Sequence, residues 1–252
     1  MRITLSFRTD LYQADLAKPI DISLPLGQVK CFYAPELTKE PYRNGDFVGS
    51  VKKGAPVNYF NVSFNPHGNG THTECLGHIT KEHESVNQSI KQFHSIAALV
   101  SVELKAKGKS DRIITVTALK KACPKLLPEA LIIRTLPNSK LKTSIDYSGS
   151  NPPFMDSRAM TYLVEQGVKH LLIDLPSVDR EVDKGALAAH HIFWKVGPAY
   201  KKSEARKECS ISELIYVDNK IKDGFYLLNL QFPPLELDAS PSRPVIYKLK
   251  SV

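Results

Sequence analysis

The residues with the most chemical potential are crowded into one short stretch. Residues 65–80 read NPHGNGTHTECLGHIT, which holds three of the chain's eight histidines together with a glutamate, a cysteine and three glycines. Histidine is the commonest transition-metal ligand, and a carboxylate two residues away can complete a chelate. In an extended segment side chains at i and i+2 project to one face, so His72 and Glu74 point together if this stretch is a strand. Gly68 and Gly70 would let the backbone turn tightly beside a site. Two readings stand on spacing alone: a metal site built around His67–His78 in loop or strand context, or a glycine-rich turn with polar edge residues.

The elements around this stretch must be inferred from periodicity. Ile3–Phe7, Ile20–Leu26 and Val57–Phe64 alternate apolar and polar residues with the period of strands, the last breaking at Asn65-Pro66. Ile96–Leu104, Ile113–Val116, Ala130–Thr135 and His170–Asp174 read as further strands, and Phe225–Leu230 and Val245–Leu249 as closing ones. Ser157–Gln166 reads as a helix capped by Ser157 and ended by Gly167, with Met160, Leu163 and Val164 on one face. Thr117–Cys123 reads as a helix start and Gly185–Trp194 as another helix, with Lys195–Cys209 the expected flexible insert. Strand and helix alternate around residues 130–190, so the expected class is α/β: a mixed β-sheet or barrel-like core with few flanking helices, in a single domain over residues 1–252.

Composition narrows the function classes. Hydrophobic residues make up 42% of the 252, enough for a sizeable core and too many for a disordered chain. No segment approaches the roughly 18 uninterrupted apolar residues of a membrane helix, so no membrane partner is expected. The start, MRITLSFRTDLYQ, has no apolar core and reads as mature sequence. Cys31, Cys75, Cys123 and Cys209 are scattered without a CxxC pair, which points to a reduced, cytoplasmic protein rather than a disulfide framework. The net charge of +8 comes from lysine runs such as Lys105–Lys109 and Lys201–Lys207 that are not interleaved with aromatics. A solvated lysine surface accounts for them, so no nucleic-acid partner is expected; attraction of an anionic substrate is the alternative.

GTHTECLGH resembles the GTHxDxPxH core of the cyclase / kynurenine formamidase (arylformamidase-like) family of metal-dependent hydrolases. IDISLPL resembles that family's N-terminal Asp-Leu-Ser strand, and YLVEQGVKHLLIDLPSVD its helix, strand and Asp-x-x-Ser-x-Asp segment. ALAAHHIFW resembles its histidine-bearing helix, SISEL its late glutamate, and LDASPSRPVIYKL its closing Asp-x-Ser-Pro-x-Arg strand. The resemblance implies the family's swivelling β/β/α fold and one or two divalent ions, usually zinc, with manganese the alternative. It implies ligands at His72, Glu74, His190 (with His191 as fallback) and Glu213, and a general acid/base at His78. The implied reaction is hydrolysis of a small amide, formamide or lactone through a metal-activated water, in a homodimer or higher homo-oligomer acting on a small-molecule substrate. A serine triad has less support, because no GxSxG elbow occurs.

Two departures bear on that implication. Where the family has a histidine four residues before the GTH histidine, this chain has Gly68; His67 is the nearest substitute ligand, although a one-residue shift in an extended chain would turn it away. Glu74 replaces an aspartate, and Cys75 beside it is open as a soft ligand, a reactive thiol or a small buried residue. A relative that binds without turnover is therefore the alternative function. His83 and His94 read as surface residues, His170 as structural and Trp194 as core. Asp174 and Asp179 either shape a pocket floor or end a strand, and Arg243 either binds an anion or forms a salt bridge. Phe32, Tyr33, Tyr42 and Phe47 leave apolar surface that either a second copy or the chain's own domain must cover.

Overall fold

The computed structural model describes all 252 residues. Eleven strands form one mixed sheet: β1 (Arg2–Phe7), β2 (Asp10–Asp15), β3 (Ile20–Asp21), β4 (His72–Glu74), β5 (His94–Glu103), β6 (Ala130–Leu136), β7 (His170–Ile173), β8 (Ser210–Glu213), β9 (Gly224–Asn229), β10 (Ala239–Pro241) and β11 (Val245–Ser251). They lie side by side in the order β1-β2-β11-β9-β5-β6-β7-β8-β4-β10, with β3 on β11. The four strands β5 to β8 are parallel, and every other pairing in the sheet is antiparallel. Four helices accompany them, α1 (Val86–Ser89), α2 (Val116–Ala122), α3 (Ser157–Glu165) and α4 (Ala188–Trp194), which gives the α/β mixed sheet with few helices that the pattern predicts. No helix is long and apolar enough to cross a membrane.

Period-two alternation sorts the parallel strands' side chains onto two buried faces. Val100, Leu131, Ile133, Leu171, Ile173 and Ile211 join the larger apolar cluster, where Leu119, Met160, Leu163 and Phe193 of the helices pack. Leu99, Ala130, Ile132 and Leu172, the alternate residues, pack in a second cluster with Ile22, Ile215 and Ile246. Both faces are thus apolar, which is why β6 and β7 read as continuous hydrophobic runs.

Local signals set several boundaries differently from the sequence reading. Only Ile20–Asp21 of the stretch Ile20–Leu26 pairs as a strand. The Asp21 carboxylate accepts from Ser23 N at 2.9 Å and from its hydroxyl at 2.6 Å, a turn that lifts the chain off the sheet. The cap of α3 is Asp156, which accepts from Arg158 N at 3.0 Å, and not Ser157; Gly167, at φ 79°, follows the helix as expected. α4 starts only at Ala188. Residues Thr38–Pro41 and Phe60–Ser63 pair as an antiparallel arm outside the main sheet. Arg206 pins the segment after α4 by donating to the carbonyls of Phe193 and Val168.

Candidate metal centre

The site begins with the register of three short strands. β4 lies between β8 and β10, with Glu213 opposite His72 and Ile211 opposite Glu74. Side chains opposite one another share a face, so His72, Glu74 and Glu213 point together, on the face where Ile211 joins the helix-side core. The other face carries Thr73, whose hydroxyl meets Ser212 Oγ at 2.7 Å and Ser242 Oγ at 2.8 Å. Buried hydroxyls bonded to one another tie β4 to β8 and to the residue that follows β10.

All three inward groups are buried. His72 Nδ1 lies 3.1 Å from the Gly70 carbonyl, which fixes the proton there and leaves the lone pair on Nε2, 3.5 Å from Glu213 Oε2. Glu213 Oε1 accepts from Val178 N at 2.9 Å. α4 brings His190, whose Nε2 lies 3.0 Å from Glu74 Oε1 and whose Nδ1 lies 2.6 Å from Asp179 Oδ2. Asp179 also accepts from Ala189 N and His190 N, so it caps the first turn of α4 and aims its histidine. His191 turns away, to the Val196 carbonyl at 2.8 Å.

His67 enters from the turn Pro66–Gly68 rather than from a strand, so the alternation that would have turned it outward does not apply. Its Nδ1 is 3.2 Å from Glu74 Oε2, without the alignment of a hydrogen bond, and its Nε2 is 2.9 Å from Asp238 Oδ2. His78, on the 3-10 turn Leu76–Ile79, places Nε2 3.8 Å from Glu74 Oε2 and Nδ1 3.0 Å from Asp238 Oδ2. A histidine at position 68 is sterically closed: a Cβ there would stand 2.2 Å from the Ala34 Cβ.

The electrostatics favour added positive charge. Burial alone would raise the Glu74 pKa, but His78 and His190 outweigh it and hold this carboxyl well below its ordinary range. Burial alone would depress His67, yet its hydrogen bond to Asp238 and the approach of Glu74 carry it up to about 10. Burial likewise opposes charge on His190, and Glu74 and Asp179 reverse that, holding it well above the usual imidazole range. Asp238 is held low by the hydrogen bonds of His67 and His78.

Two buried atoms of the cage have no hydrogen-bond partner, His72 Nε2 and Glu74 Oε2. Such an orphan costs about 1–3 kcal/mol unless something satisfies it. The donor atoms of His72, Glu74 and Glu213 all lie within 4.8 Å of one another, as do those of His67, Glu74 and His78. Ligands at roughly 2.1 Å from one ion stand about 3–4 Å apart, so the residues present fit a divalent cation. A cavity of about 470 Å³ opens onto His67, His78, His190 and Glu213, with Phe32, Tyr33 and Leu187 at its walls.

The expected ligands and His78 are therefore together in one place. Asp179 is a positioning group for His190, whereas Asp174 ends β7 and pairs with Lys142 at 2.8 Å. Cys75 is no ligand: its thiol is buried, donates to the Glu84 carbonyl and is pushed up to about 11 by burial. Arg243 pairs with Asp21 at 2.7 Å, and Trp194 is core, donating to the Cys209 carbonyl. His170 is buried against Ser210, while His83 and His94 are exposed. Residue patterns gave no warning of Asp238 at the site; its place in the Asp-x-Ser-Pro motif was the available signal.

Comparison with known proteins bears on the family and the fold. A family model described as putative cyclase matches residues 20–180. A kynurenine formamidase of Bacillus mycoides (strain KBAB4) is 30% identical over 118 residues, 47% of this chain and 49% of that protein, so the match spans about half of that relative's length. Among solved structures, a potential metal-dependent hydrolase with cyclase activity superposes with TM-score 0.62 at 15% identity, over 92% of this chain and 98% of that one. Isatin hydrolase A from Labrenzia aggregata gives 0.63 at 14% identity over 92% and 95%. At such identities these structures speak for the fold alone.

Proposed function

The chain belongs to the putative cyclase family, and from that membership we propose that it is a metal-dependent hydrolase of a small amide, formamide or lactone-type substrate. The observation that carries the proposal is the pair of buried, unpartnered donors, His72 Nε2 and Glu74 Oε2, converging with Glu213 and His190 at the foot of an open cavity. His72, Glu74 and Glu213 would hold one ion, with His190 beside them; His67 brings a further nitrogen to Glu74 and fills the place that Gly68 leaves without a ligand. Zinc suits this mixed nitrogen and oxygen donor set. A bound divalent ion supplies an acidified water and polarises a carbonyl oxygen.

The remaining work falls to the chain's own groups. His78 is partly exposed to the cavity, and with Nδ1 facing Asp238 its Nε2 is free to take the proton of the attacking water and return it to the leaving nitrogen or oxygen. Asp179 holds His190 and Val178 N holds Glu213, so both arrive pre-aimed. Phe32, Tyr33 and Leu187 offer apolar surface to a substrate's body. The kynurenine formamidase relative supports a formamide C–N bond as the first substrate to try. A binding protein without turnover is the second reading, favoured by Gly68, and a full complement of ion without hydrolysis of any formamide, amide or lactone would select it.

The apolar arm supports a homodimer. Tyr42 packs tilted against Tyr59 with ring centroids 5.1 Å apart, but Phe32 and Tyr33 at the cavity wall and Phe47 and Phe60 remain exposed, where a second copy would cover them.

Elemental analysis after gentle purification tests the central proposal. It should find roughly one to two equivalents of a divalent transition metal, predominantly zinc. Well under half an equivalent, with no rebinding from zinc-buffered solution, would remove it.

A further inference from the structure

Asp238 opens the closing motif and enters the chemistry above only as the group that His78 Nδ1 faces. It immediately precedes β10, whose register sets Ala239 opposite Glu74, and its carbonyl accepts from the Cys75 amide at 3.0 Å. Backbone pairing against β4 therefore fixes where its side chain starts. One carboxylate oxygen, Oδ2, meets two imidazoles, His67 Nε2 at 2.9 Å and His78 Nδ1 at 3.0 Å. The rings lie 4.3 Å apart at 33°. Their other nitrogens, His67 Nδ1 and His78 Nε2, both turn toward Glu74 Oε2, at 3.2 and 3.8 Å.

A ring nitrogen that donates to a carboxylate keeps its proton, so the opposite nitrogen is the one that can offer a lone pair. A single oxygen thus selects the inward nitrogen of both histidines. The need for it follows from where His67 lies. His72 and Glu74 are aimed by strand register, whereas His67 comes from a turn, where no ladder fixes side-chain direction. The ring in place of the ligand missing at Gly68 must be aimed by a side chain, and Asp238 is the carboxylate in reach.

We propose that Asp238 is a positioning residue with two clients: it aims His67 at the cation and His78 at the proton in transfer, through one shared oxygen. The inference rests on the hydrolase proposal for those two roles, and on the two hydrogen bonds for itself. Replacing Asp238 by alanine leaves the carbonyl bond to Cys75 in place, so the local pairing of β10 on β4 survives.

The test uses the zinc-loaded 252-residue chain with a formanilide probe. Asp238→Ala should weaken zinc retention against a chelator by roughly 10–100-fold. It should lower kcat by roughly 100-fold or more, with KM changed less than about threefold. In a His67→Ala background it should cost no further zinc affinity, and in a His78→Ala background no further kcat. Asp238→Asn, which keeps an acceptor oxygen, should recover part of both losses. Losses that simply add in both backgrounds, or an Asp238→Ala protein with wild-type zinc retention and kcat, overturn the proposal. A wild-type protein that neither holds zinc nor cleaves the probe defeats the hydrolase assignment separately. The contacts themselves are then read in urea unfolding of the zinc-free protein, where Asp238→Ala must couple to both His67→Ala and His78→Ala; strict additivity there also overturns it.

Discussion

His72 and His78 stand six positions apart in one motif, yet their surroundings differ as the two proposed roles require. His72 is fully buried with its proton fixed on Nδ1 by the Gly70 carbonyl, so its remaining nitrogen is suited to hold a cation and little else. His78 is partly open to the cavity and backed by a carboxylate, the arrangement of a proton carrier. His72→Ala should therefore lose both bound metal and turnover. His78→Ala should lose turnover by about 100-fold or more while keeping most of its metal. Metal content and kcat measured on the same preparations decide this, and equal loss of metal in the two variants would merge the roles. Histidine type and spacing announced both residues in the sequence. Their division was implied only by the family resemblance, because residue type and spacing carry neither burial nor partners such as Asp238, 160 positions from His78.

At the scale of elements, the turn Pro66–Gly68 is as specific as the strand that follows it. Gly68 is required by close approach: a Cβ would stand 2.2 Å from the Ala34 Cβ and 3.1 Å from the Cys31 carbonyl oxygen. Gly68→Ala should cost about 1–3 kcal/mol through overpacking. Adding Ala34→Gly should restore a good part of it, because the two changes share one contact. Urea unfolding of the two single variants and the double measures this, and a double variant no better than Gly68→Ala would show that the contact with Ala34 is not the cause. The long strands β5 and β6 were readable from periodicity, since burial on both faces leaves an apolar run. The short strands β8 and β10, reading SISE and ASP, were not: most of their residues are polar and buried, and only pairing, of β8 with β7 and β4 and of β10 with β4, makes them strands.

Across the whole molecule, a buried histidine outside the cavity lining makes stability depend on pH. Burial holds the His170 pKa down to about 4, and Lys169 and Arg206 add to this against the opposing pull of Glu129. The unfolded chain takes up this proton near its ordinary value of about 6.5. Its contribution is therefore fully present above about pH 6.5 and is lost as pH falls from there through about 4, by an amount of order 3 kcal/mol. His170→Gln, which cannot be protonated, should show a smaller fall over that window, and parallel stability profiles for the two proteins would exclude the effect. The exposed arm makes a second prediction at this scale. Light scattering at micromolar concentration should give the mass of two chains or a symmetric multiple, and a mass of one 28.1 kDa chain, unchanged on dilution, would leave the arm's apolar residues without a partner.

What is local in the chain was determined by the sequence alone: the histidine-rich motif, the α/β class and the long apolar strands all follow from residue type and short-range period. The tertiary structure decided what depends on distant segments meeting. It set Glu213 opposite His72, brought His190 to Glu74, and placed Asp238 behind His67 and His78. It also brought His67 Nδ1 to 3.2 Å from Glu74 Oε2, because a turn frees a side chain from the alternation that a strand imposes. A coordination cage is a property of register and packing between segments, and no short-range pattern in one chain encodes the register between its strands.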